Sequence, residues 1–96
     1  MPQYLIIARD FTDETALERR NAVRAAHLEL AKKHKASGNF IKAAAFINEE
    51  GNMCGSAMMM EFADREELDK WLSEEPYVMG KVWDSIEVSE VKVAPL

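Results

Sequence analysis

The 96-residue chain, 48% hydrophobic and 30% charged, has the size and composition of one globular domain over residues 1–96, which excludes separate catalytic and binding domains. A net charge of −5 argues against nucleic acid or an anionic membrane surface as the main partner. The longest apolar runs, Tyr4 to Ala8 and Ala43 to Ile47, are far shorter than the ~20 residues of a membrane-spanning helix. With no positive region before the first apolar stretch and only Cys54 as a thiol, the expectation is a cytoplasmic protein without a secretory signal, a disulfide or a cysteine zinc site.

In chain order, Gln3 to Asp10 is β-branched and apolar at its centre and predicts a first strand, followed by Thr12 and Asp13, which suit a turn or helix cap. Glu14 to Ser37 contains neither Pro nor Gly, ends in Lys32, Lys33 and Lys35, and is followed by Gly38, so it predicts a long helix. Phe40 to Asn48 and Met53 to Phe62 predict two strands joined through the Gly51 turn. Asp64 and Glu67 have the spacing of a capping box, opening a second helix through Leu68, Trp71 and Leu72 that Pro76 ends. Val82 to Val93 predicts the last strand.

The order βαββαβ is the α+β ferredoxin-like plan, with both helices on one face of an antiparallel sheet. Strand three is apolar on both sides, Cys54, Met58, Met60 and Phe62 against Met53, Ala57 and Met59, and strand two is apolar on both sides too. Helices on one face cannot cover both, so the other face is expected to meet a second copy, sheet against sheet, in a homodimer.

On the long helix, Leu17, Val23, Leu30 and Ala31 define the expected inward face, and at ~100° per residue Arg20 and His27 project to within ~20° of each other in its middle. Arg24 lies ~60° to one side. Buried cations require carboxylate partners or a cleft, so this face is the candidate site, while His34, near the lysine-rich end, is expected at the surface. His27 and His34 are too far apart to share a metal ion and no third ligand is evident, so no metal site is expected. Hydrolase, P-loop and dinucleotide signatures are missing, and Met58, Met59 and Met60 read as packing side chains.

Three segments together, Arg20-Asn21-Ala22-Val23-Arg24-Ala25-Ala26-His27-Leu28, Gly55-Ser56, and Trp71 followed by Glu75-Pro76-Tyr77-Val78 ahead of Gly80, resemble the YciI-like (YCII-related) family across almost the whole chain. The resemblance implies a dimeric α+β barrel of ferredoxin-like subunits with an active site built on a histidine and an aspartate, the histidine corresponding to His27. The family's Asp-Pro-Tyr is Glu75-Pro76-Tyr77 here, one methylene longer at the carboxylate, and its Gly-Pro after strand two is replaced within Ala43-Ala44-Ala45. A related dehydrochlorinase of aromatic degradation shows by analogy that the scaffold supports lyase chemistry.

With that resemblance, His27 is expected to act as general base, with either Asp10 or Glu75 fixing its tautomer, and either Arg20 or Arg24 to stabilise an enolate-like oxyanion. Ser56 is expected either to donate a hydrogen bond to the substrate or to serve as a small residue beside Gly55, and Tyr77 either to line the pocket mouth or to cover the core. The expected function is lyase-type or dehydrochlorinase-like acid–base chemistry, without cofactor, on an aromatic or enolisable small acid. The alternatives are a non-catalytic small-anion-binding or regulatory module and a cofactor-independent monooxygenase.

Overall fold

The computed structural model describes residues 1–96 as β1 (Gln3–Asp10), α1 (Ala16–Ala36), β2 (Phe40–Ile47), β3 (Met53–Glu61), α2 (Arg65–Glu74), α3 (Pro76–Met79) and β4 (Trp83–Val91). The strands form one antiparallel sheet in the order β2-β3-β1-β4, the ferredoxin-like arrangement. No helix is long and apolar enough to cross a membrane.

Period-two alternation sets the two faces of the sheet. Tyr4, Ile6 and Ala8 of β1 and Met58 and Met60 of β3 point under the helices, where they pack with Phe62, Leu68, Trp71, Tyr77, Val82 and Trp83 in one core cluster. Leu5 and Ile7 with Ala57, Met59 and Ala44 occupy the centre of the opposite face, and Met59 is 37% exposed there. That face is less uniformly apolar than the strand patterns suggest, because the register also places Arg9, Lys42 and Glu87 on it. Arg9 lies over the Phe46 ring at 3.9 Å, a cation–π contact that shields part of the apolar surface.

The helix ends follow their local chemistry. Gly38 and Gly51 adopt φ of +85° and +81°, values that suit glycine just past α1 and in the β2–β3 turn. Asp64 caps α2 by accepting the Glu67 N–H at 2.9 Å.

Several expectations are corrected. The first helix begins at Ala16 and leaves Glu14 outside it, because Asp13 is drawn into a fork with Arg19 Nη1 and Nη2 at 2.7 and 2.8 Å. Leu17 is an exposed residue, lying about 100° around α1 from the buried Ala16. The inward stripe is instead Ala16, Arg20, Val23, His27, Leu30 and His34. His34 is therefore not a surface side chain: it is half-buried with its ring edge-on to Phe62, 6.2 Å between centroids. After Pro76 the chain forms a third helix, α3, which contacts both α1 and α2.

Candidate functional site

The centre of the site is His27, halfway along the inward stripe of α1. Its Nδ1 lies 2.6 Å from Glu75 Oε1, and because a carboxylate only accepts, Nδ1 carries the donated proton; in the neutral ring this tautomer puts the lone pair on Nε2. The Nδ1 contact is the hydrogen bond the ring makes within the protein, and the ring lines a cleft of about 260 Å³.

Glu75 is 1% exposed, and its position follows from local sequence. It is the N-cap of α3, with Pro76 at the first helical position, and Oε1 also accepts the Tyr77 N–H at 3.1 Å. One oxygen thus serves both cap and imidazole, and the longer glutamate reaches His27 from a capping position. Tyr77, carried on the same turn, stacks on His27 with centroids 3.9 Å apart and planes 14° apart. It lines the cleft beside the imidazole as a buried member of the core cluster. Burial raises the pKa of its phenol, against the lowering effect of Arg20 and Arg24, so the hydroxyl stays protonated at neutral pH.

Asp10 does not meet His27. Its carboxylate accepts two hydrogen bonds from Arg20 Nη1, at 3.0 and 2.9 Å, and both residues are buried. Arg20, 3% exposed, also donates through Nη2 to the Gly55 carbonyl and to Ser56 Oγ, each at 3.3 Å, and its guanidinium carbon lies 4.6 Å from the Tyr77 ring centroid. These bonds anchor Arg20 as a strut between α1 and the sheet. Arg24, exposed at the rim and without a carboxylate partner, is the cation left free to meet an anion.

The remaining walls are small or apolar. Ala43, Ala44 and Ala45 of β2, with Leu28, Met53 and Met58, line the cleft, and Ser56 is the hydroxyl among them. Gly55 is required for this packing: a Cβ there would lie 2.7 Å from the Ala8 carbonyl oxygen and 3.0 Å from the Phe46 ring.

The residue that sequence reasoning missed is Trp83, whose Nε1–H donates to Ser56 Oγ at 3.3 Å. A register shift between Arg9 and Asp10 pairs Trp83 with Asp10, and no spacing in the sequence signals that bulge. No three His, Cys, Asp or Glu side chains converge in a metal-binding arrangement.

The profile of the YCII-related domain matches residues 3–92, and the chain belongs to that family. No curated protein matches the chain by sequence. Among solved structures, the 5-chloro-2-hydroxyhydroquinone dehydrochlorinase TftG from Burkholderia phenoliruptrix AC1100, in complex with 2,5-dihydroxybenzoquinone, is similar at 21% identity and a TM-score of 0.82, covering 96% of this chain and 95% of that one. A dimeric ferredoxin-like protein of unknown function from Jannaschia sp. CCS1 is similar at 16% identity and a TM-score of 0.55, over 97% and 100% of the two chains. An antibiotic biosynthesis monooxygenase is similar at 18% identity and a TM-score of 0.53, over 96% and 99%. At these identities the likeness establishes the shared fold.

Proposed function

We propose that this YCII-related protein is a lyase-type enzyme that binds a small planar anion, an aromatic or enolisable acid, in the cleft beside His27 and moves a proton on it. The observation that carries the reading is the 2.6 Å contact of His27 with buried Glu75, which sets the tautomer and leaves Nε2 as a base facing the cleft. A proton on a phenolic oxygen, or on carbon next to a carbonyl, passes to Nε2. The electron pair left behind is held on oxygen as a phenolate or enolate, near the Arg24 guanidinium. For an enolate the pair re-forms the carbonyl while the C=C electrons make a new double bond to the next carbon, whose leaving group departs with its own electron pair. For a phenolate the His27 imidazolium first returns the proton to the ring carbon that bears the leaving group. Loss of a second, hydroxyl proton then drives the new ring C=C and C=O bonds as the leaving group departs with its pair. The dehydrochlorinase activity and quinone ligand of the similar Burkholderia protein support this choice of chemistry and ligand class.

The working molecule in this reading is a cytoplasmic homodimer packed through the open sheet face, where Leu5, Ile7, Ala57 and Met59 stand together. The dimeric Jannaschia neighbour supports the assembly, and the free Cys54 suits a reducing compartment.

Proton exchange tests the chemistry. In D2O the protein is expected to accelerate deuterium incorporation at the carbon next to the carbonyl of phenylpyruvate or in 2,5-dihydroxybenzoquinone, followed by proton NMR. His27→Asn should reduce that acceleration by about 10²–10⁴-fold and Glu75→Gln by less. Binding of both compounds without accelerated exchange, or exchange indifferent to His27→Asn, overturns the enzymatic reading in favour of a binding module.

A further inference from the structure

Ser56 is a buried hydroxyl, 4% exposed, whose bonding is almost fully specified by the groups around it. Its Oγ accepts from Arg20 Nη2 and from Trp83 Nε1, each at 3.3 Å. Both neighbours are obligate donors: a guanidinium is not deprotonated in proteins, and an indole N–H has no lone pair to offer. A serine hydroxyl has two acceptor sites and one proton, so these contacts occupy both acceptor sites. The proton remains, no protein acceptor takes it, and the residue lines the cleft that holds His27. Arg20 cannot readily turn away, because Asp10 holds its Nη1 and the Gly55 carbonyl shares its Nη2, although its buried Nε–H has no partner. Trp83 is buried in the core cluster and fixed likewise.

We propose that Ser56 is a specificity-determining residue that offers the cleft a hydrogen-bond donor and no acceptor, selecting ligands that place an unprotonated oxygen, a carbonyl, enolate or phenolate, against it. This rests on the cleft being the ligand site proposed above and adds to it the protonation state of the group that is read. Arg24 attracts negative charge without fixed direction, whereas Ser56 reads one atom. An N–H group at that position meets a donor facing a donor and leaves two polar groups unsatisfied. Two donors polarising the same oxygen strengthen the hydroxyl as a donor, which favours charged over neutral oxygen.

The test uses two probes of one shape: pentafluorophenol, ionised at pH 8 so that its oxygen only accepts, and pentafluoroaniline, which presents N–H donors on the same ring. Their dissociation constants are read by fluorine NMR on the wild-type protein, Ser56→Ala and Trp83→Phe. Wild type is expected to prefer the phenolate. Ser56→Ala should weaken the phenolate about 10-fold or more and leave the aniline within about 2-fold. Trp83→Phe frees one acceptor site on Ser56 and should improve the aniline relative to the phenolate, which a merely structural serine would not produce. Equal weakening of both probes in Ser56→Ala, or no weakening of either, overturns the proposal while leaving the cleft reading intact. Failure of the wild-type protein to bind either probe overturns the cleft reading, and the role of Ser56 with it.

Discussion

At Arg20 a guanidinium is tolerated inside the protein because Asp10, the Gly55 carbonyl and Ser56 accept from Nη1 and Nη2, leaving only the buried Nε–H without a partner. Burial is nevertheless the larger effect on Asp10, raising its pKa above the ordinary 3.8 while Arg20 only partly pulls it back. A carboxyl raised in this way contributes its stability fully below the unfolded-state value and loses it as pH rises through the folded-state value. Asp13 behaves oppositely: hydrogen bonds from Arg19 hold its carboxyl well below the usual carboxylate range, so its contribution is present above 3.8 and is lost as pH falls through the depressed value. Side-chain carboxyl titration by NMR should place the Asp10 midpoint above 3.8 and the Asp13 midpoint below it; the reverse order would contradict the two environments. Asp10→Ala removes both acceptor oxygens and leaves the buried Arg20 guanidinium unpaired, and should destabilise the fold by about 3–5 kcal/mol in urea unfolding. A loss below about 1 kcal/mol would mean the pair behaves as an exposed one. That Arg20 and His27 share the inward side of α1 was legible from the helical projection. Which carboxylate His27 meets was not, because choosing between a strand end and the cap of a later helix depends on how far α1 sits above the sheet.

The elements were legible where a periodic pattern runs for two turns or more. The predicted first strand matches β1 over Gln3–Asp10, and the later strands differ by one or two residues at their ends. The α3 turn, four residues long, is too short to show a period, and its only sequence sign is Pro76 behind a capping carboxylate. The placement of Leu17 failed for a physical reason. The middle of the inward stripe of α1 is polar, so Leu17 and Leu28 flank it while Val23 and Leu30 stay on it, and Leu17 pulls the apolar average to one side. Between β1 and β3, Gly55 permits the approach that lets its carbonyl reach Arg20. Gly55→Ala would press a methyl group onto the Ala8 carbonyl oxygen at 2.7 Å, and a loss of about 1–3 kcal/mol is expected by thermal or urea unfolding. A neutral effect would show that β1 and β3 separate more easily than this register suggests.

For the whole molecule, the sheet carries two surfaces with different tasks. The helix side holds both the core and the cleft, so the site is built at the cost of a continuous apolar interior: α1 contributes Arg20 and His27 to the positions a purely structural helix would fill with leucine. The open side presents Leu5, Ile7, Ala57 and Met59 to water or to a second copy. Sedimentation equilibrium at micromolar concentration should therefore give about twice the 10.9 kDa chain mass. Met59→Lys, which places a charge on the open face without touching the core, should shift that mass toward the monomer. A wild-type protein that sediments as a stable monomer would contradict the packed-sheet assembly.

The claim that organises the rest is that a small planar anion sits in the α1–β2–β3 cleft with its reacting oxygen or carbon within reach of His27. A crystal structure of the wild-type protein with 2,5-dihydroxybenzoquinone measures this directly. The ring is expected between Leu28 and the Ala43–Ala45 wall, with a ligand atom ~3 Å from His27 Nε2 and a ligand oxygen at hydrogen-bond distance from Ser56 Oγ. The Nδ1 contact with Glu75 should be preserved. A ligand bound outside this cleft, or inside it but out of reach of Nε2, would contradict the account.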